Sequence, residues 1–196
     1  LPQPPCSFAA GWGKEPKPTL EQICSNHATL LGLADIGKLA LIVIAVDFKY
    51  FFHAFIFDLF EVWKMGAILP VATDDGIIWQ FAVEYVMSMG AFPSSRVAQR
   101  FANELMALLL TRFDEADAPF LKDENAALQS VMAERAKLAH DEFGTMARLA
   151  DAGQYTDDPV LAACSAPRAA RMLKVFYDIV GPNGMRFMLA KWTKMN

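Results

Sequence analysis

The strongest apolar pattern in the chain lies between Ile36 and Met65. Leu39–Val46 is apolar without interruption, and the residues that follow interleave aromatic side chains with single charges. On a helical wheel at about 100° per residue, one broad face collects six large apolar side chains, with acidic and basic residues on its two flanks. These six are Phe48, Phe51, Phe52, Phe55, Leu59 and Trp63. The pattern predicts one long helix whose aromatic face is covered in the working state, by the chain's own helices, by lipid or by a neighbouring protein.

Start and stop signals predict that the other elements are helices too. Thr19 follows Pro18 and precedes Gln22 by three positions, which is a capping-box pattern. Further helices are predicted over about 77–90, 96–115, 122–151, 167–180 and 184–194, with a short one after Asp158-Pro159. No segment shows clear strand alternation between hairpin turns. The predicted fold class is therefore all-α, an irregular helical bundle formed by residues 19–196 as a single domain.

Residues 1–18 have a composition that is incompatible with a helix or a central strand. They contain five prolines, and two glycines flank Trp12. Phe8 and Trp12 are aromatic side chains that such a segment could bury against a partner. We expect residues 1–18 to form an extended docking arm, with a disordered tail as the alternative.

Composition adds an apolar surplus to this picture. Apolar residues make up 54% of the 196 residues and charged residues 20%, which is more apolar than one soluble core needs. Residues 39–57 approach the length of a membrane span, but Asp47 and Lys49 lie near its middle, where each charge costs roughly 2.5–3.5 kcal/mol. The sequence thus leaves two alternatives, a membrane-embedded helix or the central helix of a bundle. The net charge of −4 argues against nucleic-acid binding.

The sequence contains no recognisable catalytic or metal-binding motif, so we predict that the protein is not an enzyme. The adjacent carboxylates Asp74-Asp75 and Asp157-Asp158 are interpreted as helix starts. Three polar side chains lie among large apolar ones, namely His53, Glu84 and Asn103. Each is a candidate axial ligand for a planar pigment such as chlorophyll, with carotenoid or lipid as other apolar ligands. The alternative is that each satisfies a neighbour's hydrogen bond.

One segment carries a short family resemblance. Residues 142–153, Glu-Phe-Gly-Thr-Met-Ala-Arg-Leu-Ala-Asp-Ala-Gly, resemble the chlorophyll-binding helix of light-harvesting proteins. That helix has a Glu, an Asn or His ligand, an Arg and a run of small apolar residues in this order. Thr145 stands where the Asn or His is expected, and no second helix repeats the pattern. The resemblance implies a linker subunit associated with antenna proteins in an algal photosystem supercomplex, and not an antenna protein itself.

Together these features predict a non-catalytic linker or scaffold subunit of an organellar membrane supercomplex. The favoured assembly connects antenna proteins to a photosystem, which places the chain at the thylakoid in preference to the mitochondrial inner membrane. The predicted partners are other protein subunits, with lipid or pigment as additional ligands. One alternative is an accessory subunit of a respiratory or ATP-synthase complex. Another is a soluble helical carrier whose aromatic face lines a pocket for a lipid or pigment.

The docking arm leads to a direct prediction. Because one aromatic anchor can dominate an interface, Trp12→Ala should release the protein from its complex while leaving its helicity intact. Co-purification of the partner and far-UV circular dichroism measure the two effects. Unchanged association of the Trp12→Ala variant would contradict a docking arm.

Overall fold

The computed structural model describes residues 17–56, 60, 66–87, 94–143 and 148–195. Its helices are α1 (Leu20–Gly37), α2 (Ser94–Asp117), α3 (Ala126–Phe143) and α4 (Ala166–Val180). Its strands are β1 (Leu41–Lys49), β2 (Gly66–Thr73), β3 (Gly76–Val83), β4 (Ala150–Tyr155), β5 (Asp158–Cys164) and β6 (Arg186–Met195). Short 3-10 helices cover Phe52–Ala54 and Ala118–Asp123. The predicted all-α class is therefore wrong, because the chain folds as a mixed α/β protein.

Four of the strands form one antiparallel sheet in the order β4-β5-β1-β6. Helices α2 and α3 connect β1 to β4, and α4 connects β5 to β6. This connectivity is the split βαβ arrangement known as ferredoxin-like. Helix α1 precedes it, and the hairpin β2–β3 is inserted between β1 and α2 as a separate two-stranded sheet.

Both faces of the four-stranded sheet are covered by helices. On one face, side chains of α2 and α4, such as Leu109, Phe113 and Phe176, pack on the sheet. On the other face, side chains of α1 and α3, such as Leu33 and Leu128, pack on it. The core is thus two apolar layers separated by the sheet.

Strand β1 is the element that the sequence pattern misassigned. Its side chains alternate between the two layers, with Ile42, Ile44 and Val46 in one cluster and Leu41 and the half-buried Val43 in the other. Because both sides are covered, the strand carries a continuous apolar run instead of an apolar/polar alternation. Within residues 39–57, considered above as a membrane-embedded helix, the described residues 39–56 contain this strand followed by a 3-10 turn. None of the helices in the described residues has the length and hydropathy needed to cross a bilayer.

The other misassignments have the same origin, since apolar strands between turns imitate short helices. The helix predicted over 77–90 is strand β3 in its first half, and the one predicted over 184–194 is β6. The short helix predicted after Asp158-Pro159 is β5, and the helix predicted to extend to Asp151 ends at Phe143. The helices predicted over 96–115 and 167–180 are confirmed as α2 and α4. The capping box at the start of α1 is confirmed as well, with reciprocal hydrogen bonds between Thr19 and Gln22.

A buried ionic network joins the end of α2 to the start of α4. The Arg168 guanidinium is 1% exposed and donates to Asp117 Oδ2 at 2.6 Å and to the Cys164 carbonyl at 2.9 Å. Its Nη1 also lies 3.0 Å from Glu124 Oε1. Arg171 donates to the second oxygen of Asp117 at 2.6 Å. The network satisfies the buried carboxylate on both oxygens, which is the condition for tolerating such charges in a core.

Removing the shared carboxylate should leave Arg168 buried without its main counter-charge. We expect Asp117→Ala to lower the free energy of unfolding by about 3–5 kcal/mol. Chemical denaturation monitored by circular dichroism measures this change. The matched control is Glu115→Ala, which breaks the exposed pair with Arg112 and should cost less than about 1 kcal/mol. Equal losses in the two variants would show that the network does not stabilise the fold.

Candidate functional site

The inserted β2–β3 hairpin is the most exposed apolar element in the described part of the chain. Each strand has eight residues, which corresponds to a length of roughly 26 Å. Thr73 pairs with Gly76, so Asp74-Asp75 forms a two-residue turn. Gly76 has a φ of +126°, and the Thr73 hydroxyl donates to its carbonyl at 2.9 Å. A glycine directly after two aspartates, between two apolar runs, is a turn signal, and the observed hairpin corrects the interpretation of Asp74-Asp75 as a helix start.

Both faces of the hairpin are apolar. The register places one set of side chains on a surface that we term the Trp79 face: Ile68, Pro70, Ala72, Ile77, Trp79 and Phe81. The opposite surface, the Leu69 face, consists of Ala67, Leu69, Val71, Ile78, Gln80 and Ala82. Trp79 is 69% exposed and Ile77 70%. The large side chains of the two faces together expose on the order of 500 Å² of apolar surface, as much as the largest patch on a typical monomer.

The hairpin is anchored to the core at its base. Ile56 and Val86 form an antiparallel bridge, and the Met87 amide donates to the Phe55 carbonyl at 2.9 Å. Met87 is buried in the apolar cluster that α2 and α4 form with the sheet, and the half-buried Phe55 packs against that cluster. The base is thus fixed by the fold, whereas the two strands beyond it are solvent-exposed along nearly their whole length.

Charge is confined to the ends of the hairpin. The segments 66–73 and 76–83 contain no Asp, Glu, Lys or Arg, whereas the turn carries Asp74 and Asp75 and Glu84 follows the second strand. Isolated two-stranded hairpins are at best marginally stable in water. Exposed strand edges are normally protected by charged side chains or by cover. A long uncharged hairpin of this kind therefore indicates a surface that is covered in the functional state.

Four of the aromatic residues that the sequence singled out, Phe48, Phe51, Phe52 and Phe55, lie in the chain's own core or pack against it. Phe48, at the end of β1, stacks on Phe51 at 5.3 Å between ring centroids. Phe55 packs edge-on against Phe101 of α2 at 5.1 Å. Phe48, Phe51 and Phe52 are buried, so the cover for these three comes from the chain itself and not from a partner. The other two members of the predicted face, Leu59 and Trp63, lie outside the described residues.

The three candidate pigment ligands are not brought together. His53 is an exposed residue of the first 3-10 turn, and its ring lies edge-on to Tyr50 at 6.0 Å. Glu84 is a half-buried residue that follows β3. Asn103, in the middle of α2, accepts a hydrogen bond from Gln99 at 2.9 Å. The cavity beside His53 is bordered by neither of the other two residues. Its volume of about 220 Å³ is smaller than that of typical small-molecule pockets.

A buried polar network missed by sequence reasoning surrounds Asn103. Gln99 is fully buried, and its side-chain oxygen accepts from the Thr156 amide at 2.9 Å. Its amide nitrogen donates to the Gln154 carbonyl at 2.9 Å and to Asn103. These contacts attach α2 to the turn between β4 and β5. Asn103 therefore belongs to a structural network, which is the alternative that the sequence left open.

The arm residues Phe8 and Trp12 lie outside the described residues, but the point where the arm joins the domain is defined. The Lys17 ammonium donates to Ser95 Oγ at 3.1 Å and to Thr156 Oγ1 at 3.4 Å. It also lies 4.6 Å above the Tyr155 ring. These contacts hold Lys17 against the start of α2 and the turn between β4 and β5.

The twelve residues that resemble a light-harvesting helix do not form one helix. Helix α3 ends at Phe143, and β4 begins at Ala150. No known protein-family profile matches the sequence, and comparison with curated proteins gives no significant match.

The described residues give no indication of a metal site. They contain no cluster of three or more His, Cys, Asp and Glu residues with metal-binding geometry. Cys164 is fully buried in the layer between β5 and α1, and its thiol lies 3.3 Å from the Leu30 carbonyl. Burial raises the pKa of this thiol to about 11, so it stays protonated and unreactive at neutral pH.

This burial leads to a labelling prediction. In a Cys6→Ser/Cys24→Ser variant, Cys164 is the single remaining thiol, and at pH 8 it should react with a disulfide reagent at least roughly a hundredfold more slowly than free cysteine. Full reaction in denaturant is the control. An ordinary thiol loses its proton near pH 9.0, whereas the folded Cys164 keeps its proton up to about pH 11. The stability that the protonated, buried thiol contributes should therefore be lost as the pH rises from about 9 to about 11. Fast labelling of the native variant would contradict the buried position.

Proposed function

We propose that this chain is a non-catalytic assembly subunit that docks onto a partner protein by inserting the β2–β3 hairpin between two apolar surfaces of that partner. The observation that carries the proposal is the exposure of apolar side chains on both faces of one uncharged hairpin. A hairpin that packed on its own domain would have one apolar and one polar face. Two apolar faces call for cover on both sides.

Lipid is a poor candidate for that cover. Among the described residues, each strand of the two-stranded sheet β2–β3 has one unpaired edge. Every backbone group without a partner in hydrocarbon costs several kcal/mol. The turn would also carry Asp74 and Asp75 into the bilayer ahead of the apolar strands, at roughly 2.5–3.5 kcal/mol for each charge at the membrane centre. A protein partner can satisfy the edges and the carboxylates, whereas lipid satisfies neither.

A second copy of the chain is a poor candidate as well. Stacking two hairpins through their Trp79 faces would leave both Leu69 faces in water. A parallel stack would also bring the two Asp74-Asp75 turns together, and like charges at close range are destabilising. The hairpin is better suited to a different protein.

The hairpin specifies the chemistry of this partner. It should offer an apolar cleft with two walls and a lysine or arginine side chain where the turn ends, because Asp74 and Asp75 would otherwise lose their hydration without a counter-charge. The open edge of β3 is suited to pair with a partner strand. The edge of β2 is less suited, because Pro70 lacks an N–H donor.

The assembly that we favour remains an organellar membrane supercomplex that connects antenna proteins to a photosystem, with a respiratory or ATP-synthase complex as the second candidate. The choice between them rests on sequence features, namely the apolar surplus, the proline-rich arm and the short resemblance. Such a linker needs more than one contact. The hairpin and the arm that joins the domain at Lys17 would supply two.

The test compares one substitution on each face with a matched exposed residue. Trp79→Ser on the Trp79 face and Ile78→Ser on the Leu69 face should each weaken the complex by about 2 kcal/mol, or roughly thirtyfold in Kd. Tyr177→Ser on α4, where the side chain is 60% exposed, should leave the complex unchanged. Binding of the purified variants to the co-purified partner, identified by mass spectrometry under mild detergent, provides the measurement.

Hydrogen exchange supplies an independent readout. Amides of β2 and β3 should exchange rapidly in the isolated chain and become protected in the assembly, because the hairpin receives cover there. If Trp79→Ser and Ile78→Ser bind as tightly as the Tyr177→Ser control, docking through the hairpin is refuted. If Trp79→Ser weakens binding and Ile78→Ser does not, insertion between two surfaces is refuted and packing through one face takes its place.

A further inference from the structure

A cationic cavity lies at the end of the four-stranded sheet, where β1 leaves it and β6 enters. The cavity has a volume of about 220 Å³ and is bordered by Lys49, His53 and Arg186. Its apolar wall is formed by Phe48 and Phe51, which belong to the main core. Among the described residues, those that border the cavity include no aspartate or glutamate.

The two permanently charged residues of the cavity, Lys49 and Arg186, occupy an unfavourable register. Lys49 and Arg186 are directly paired residues at the end of the β1–β6 ladder, so their side chains project on the same side of the sheet about 5 Å apart at Cβ. Like charges in this position repel each other. Among the described residues, neither side chain has a carboxylate within ion-pair distance, although Asp47 lies two positions before Lys49 on the same strand.

The backbone around the cavity is unusual at two points. Tyr50 has a φ of +56°, a left-handed conformation that is uncommon for a bulky aromatic residue and that recurs at ligand sites. Gly184 has a φ of +70° and lines the same cavity, with open space where a Cβ would lie. Tyr50 directly follows β1 and Gly184 lies two residues before β6, so both unusual conformations occur where the chain borders the cavity.

We propose that this cavity binds the phosphate group of a phosphate monoester. The guanidinium of Arg186 can donate two parallel hydrogen bonds to phosphate oxygens, and the Lys49 ammonium supplies the second permanent positive charge. A phosphate monoester carries about −1.5 to −2 charges at pH 7, which matches these two cations, whereas a monocarboxylate would neutralise one. The anion would remove the repulsion across the β1–β6 pair. This inference is independent of the hairpin and of its partner.

Titration calorimetry of the full chain tests the proposal with inorganic phosphate, glycerol 3-phosphate and acetate as probes. Both phosphates should bind saturably and more tightly than acetate. Arg186→Gln should raise the Kd of inorganic phosphate roughly tenfold, and Lys49→Gln by several fold. The control is Arg112→Gln, an exposed arginine on α2 that already pairs with Glu115, and it should change the Kd by less than about twofold.

Thermal unfolding separates loss of the site from loss of the fold. In phosphate-free buffer the Tm of Lys49→Gln should equal or exceed that of the wild type, since the substitution relieves the repulsion. At the same phosphate concentration, the Tm of Lys49→Gln should rise less than that of the wild type, because its Kd is several fold higher. A lower Tm of Lys49→Gln without phosphate would contradict the proposed repulsion between Lys49 and Arg186.

A vesicle-binding assay distinguishes a lipid headgroup from a soluble phosphate ester as the source of the phosphate. Binding to phosphatidylcholine vesicles that contain phosphatidic acid, competed by inorganic phosphate, would assign the site to a lipid headgroup. Binding of glycerol 3-phosphate without vesicle binding would assign it to a small soluble phosphate ester. The proposal is overturned if neither phosphate saturates below about 10 mM, or if Arg112→Gln weakens binding as much as Arg186→Gln does.

Discussion

Strand β1 lies between β5 and β6 and has helices packed on both of its faces, so nearly every side chain along it has to be apolar. Burial of one such side chain is worth about 1.5–3 kcal/mol, and β1 joins the two apolar layers into one core. The other elements are arranged around this strand. Helices α2 and α4 pack over Ile42, Ile44 and Val46, whereas α1 and α3 pack over Leu41. Phe51 and Phe52, which follow β1 in the sequence, extend the apolar layer that α2 and α4 cover.

The same arrangement explains why the hairpin is available for another purpose. At its base, Met87 belongs to the core and Phe55 packs against it. The two strands of the hairpin add no side chain to either buried cluster. The domain keeps its sheet, its two helical layers and the Asp117–Arg168 network without them. An element that adds little to the core and exposes apolar side chains on both faces costs solubility. Contact with a partner is the physical reason that we give for it.

A buried strand and a buried helix can carry the same apolar run, and the run at Leu39–Val46 was wrongly predicted to be helical. Ile42, Val43, Ile44 and Val46 are β-branched, and a run of eight residues suits a strand better than a helix. These two signals favoured β1 over the predicted helix. The Asp75-Gly76 pair, set between two uncharged runs, likewise favoured a hairpin. The helical-wheel pattern after Asp47 was misleading, because aromatic residues of a strand end and a 3-10 turn fall on one side of the wheel by chance of spacing.

By itself, the sequence determined the local features whose cause is local. The capping box at Thr19 and the amphipathic helices α2 and α4 follow from neighbouring residues, since their hydrogen bonds and apolar stripes repeat within a few positions. It also determined that the chain has more apolar surface than one core requires. Only the tertiary structure decided which apolar residues are covered by the chain and which are not. Phe48 and Trp79 both lie in apolar stretches of the sequence. Phe48 contacts Phe176 and Phe187 from distant parts of the chain, whereas Trp79 is 69% exposed on a two-stranded sheet. That difference depends on long-range strand pairing, which no local pattern encodes.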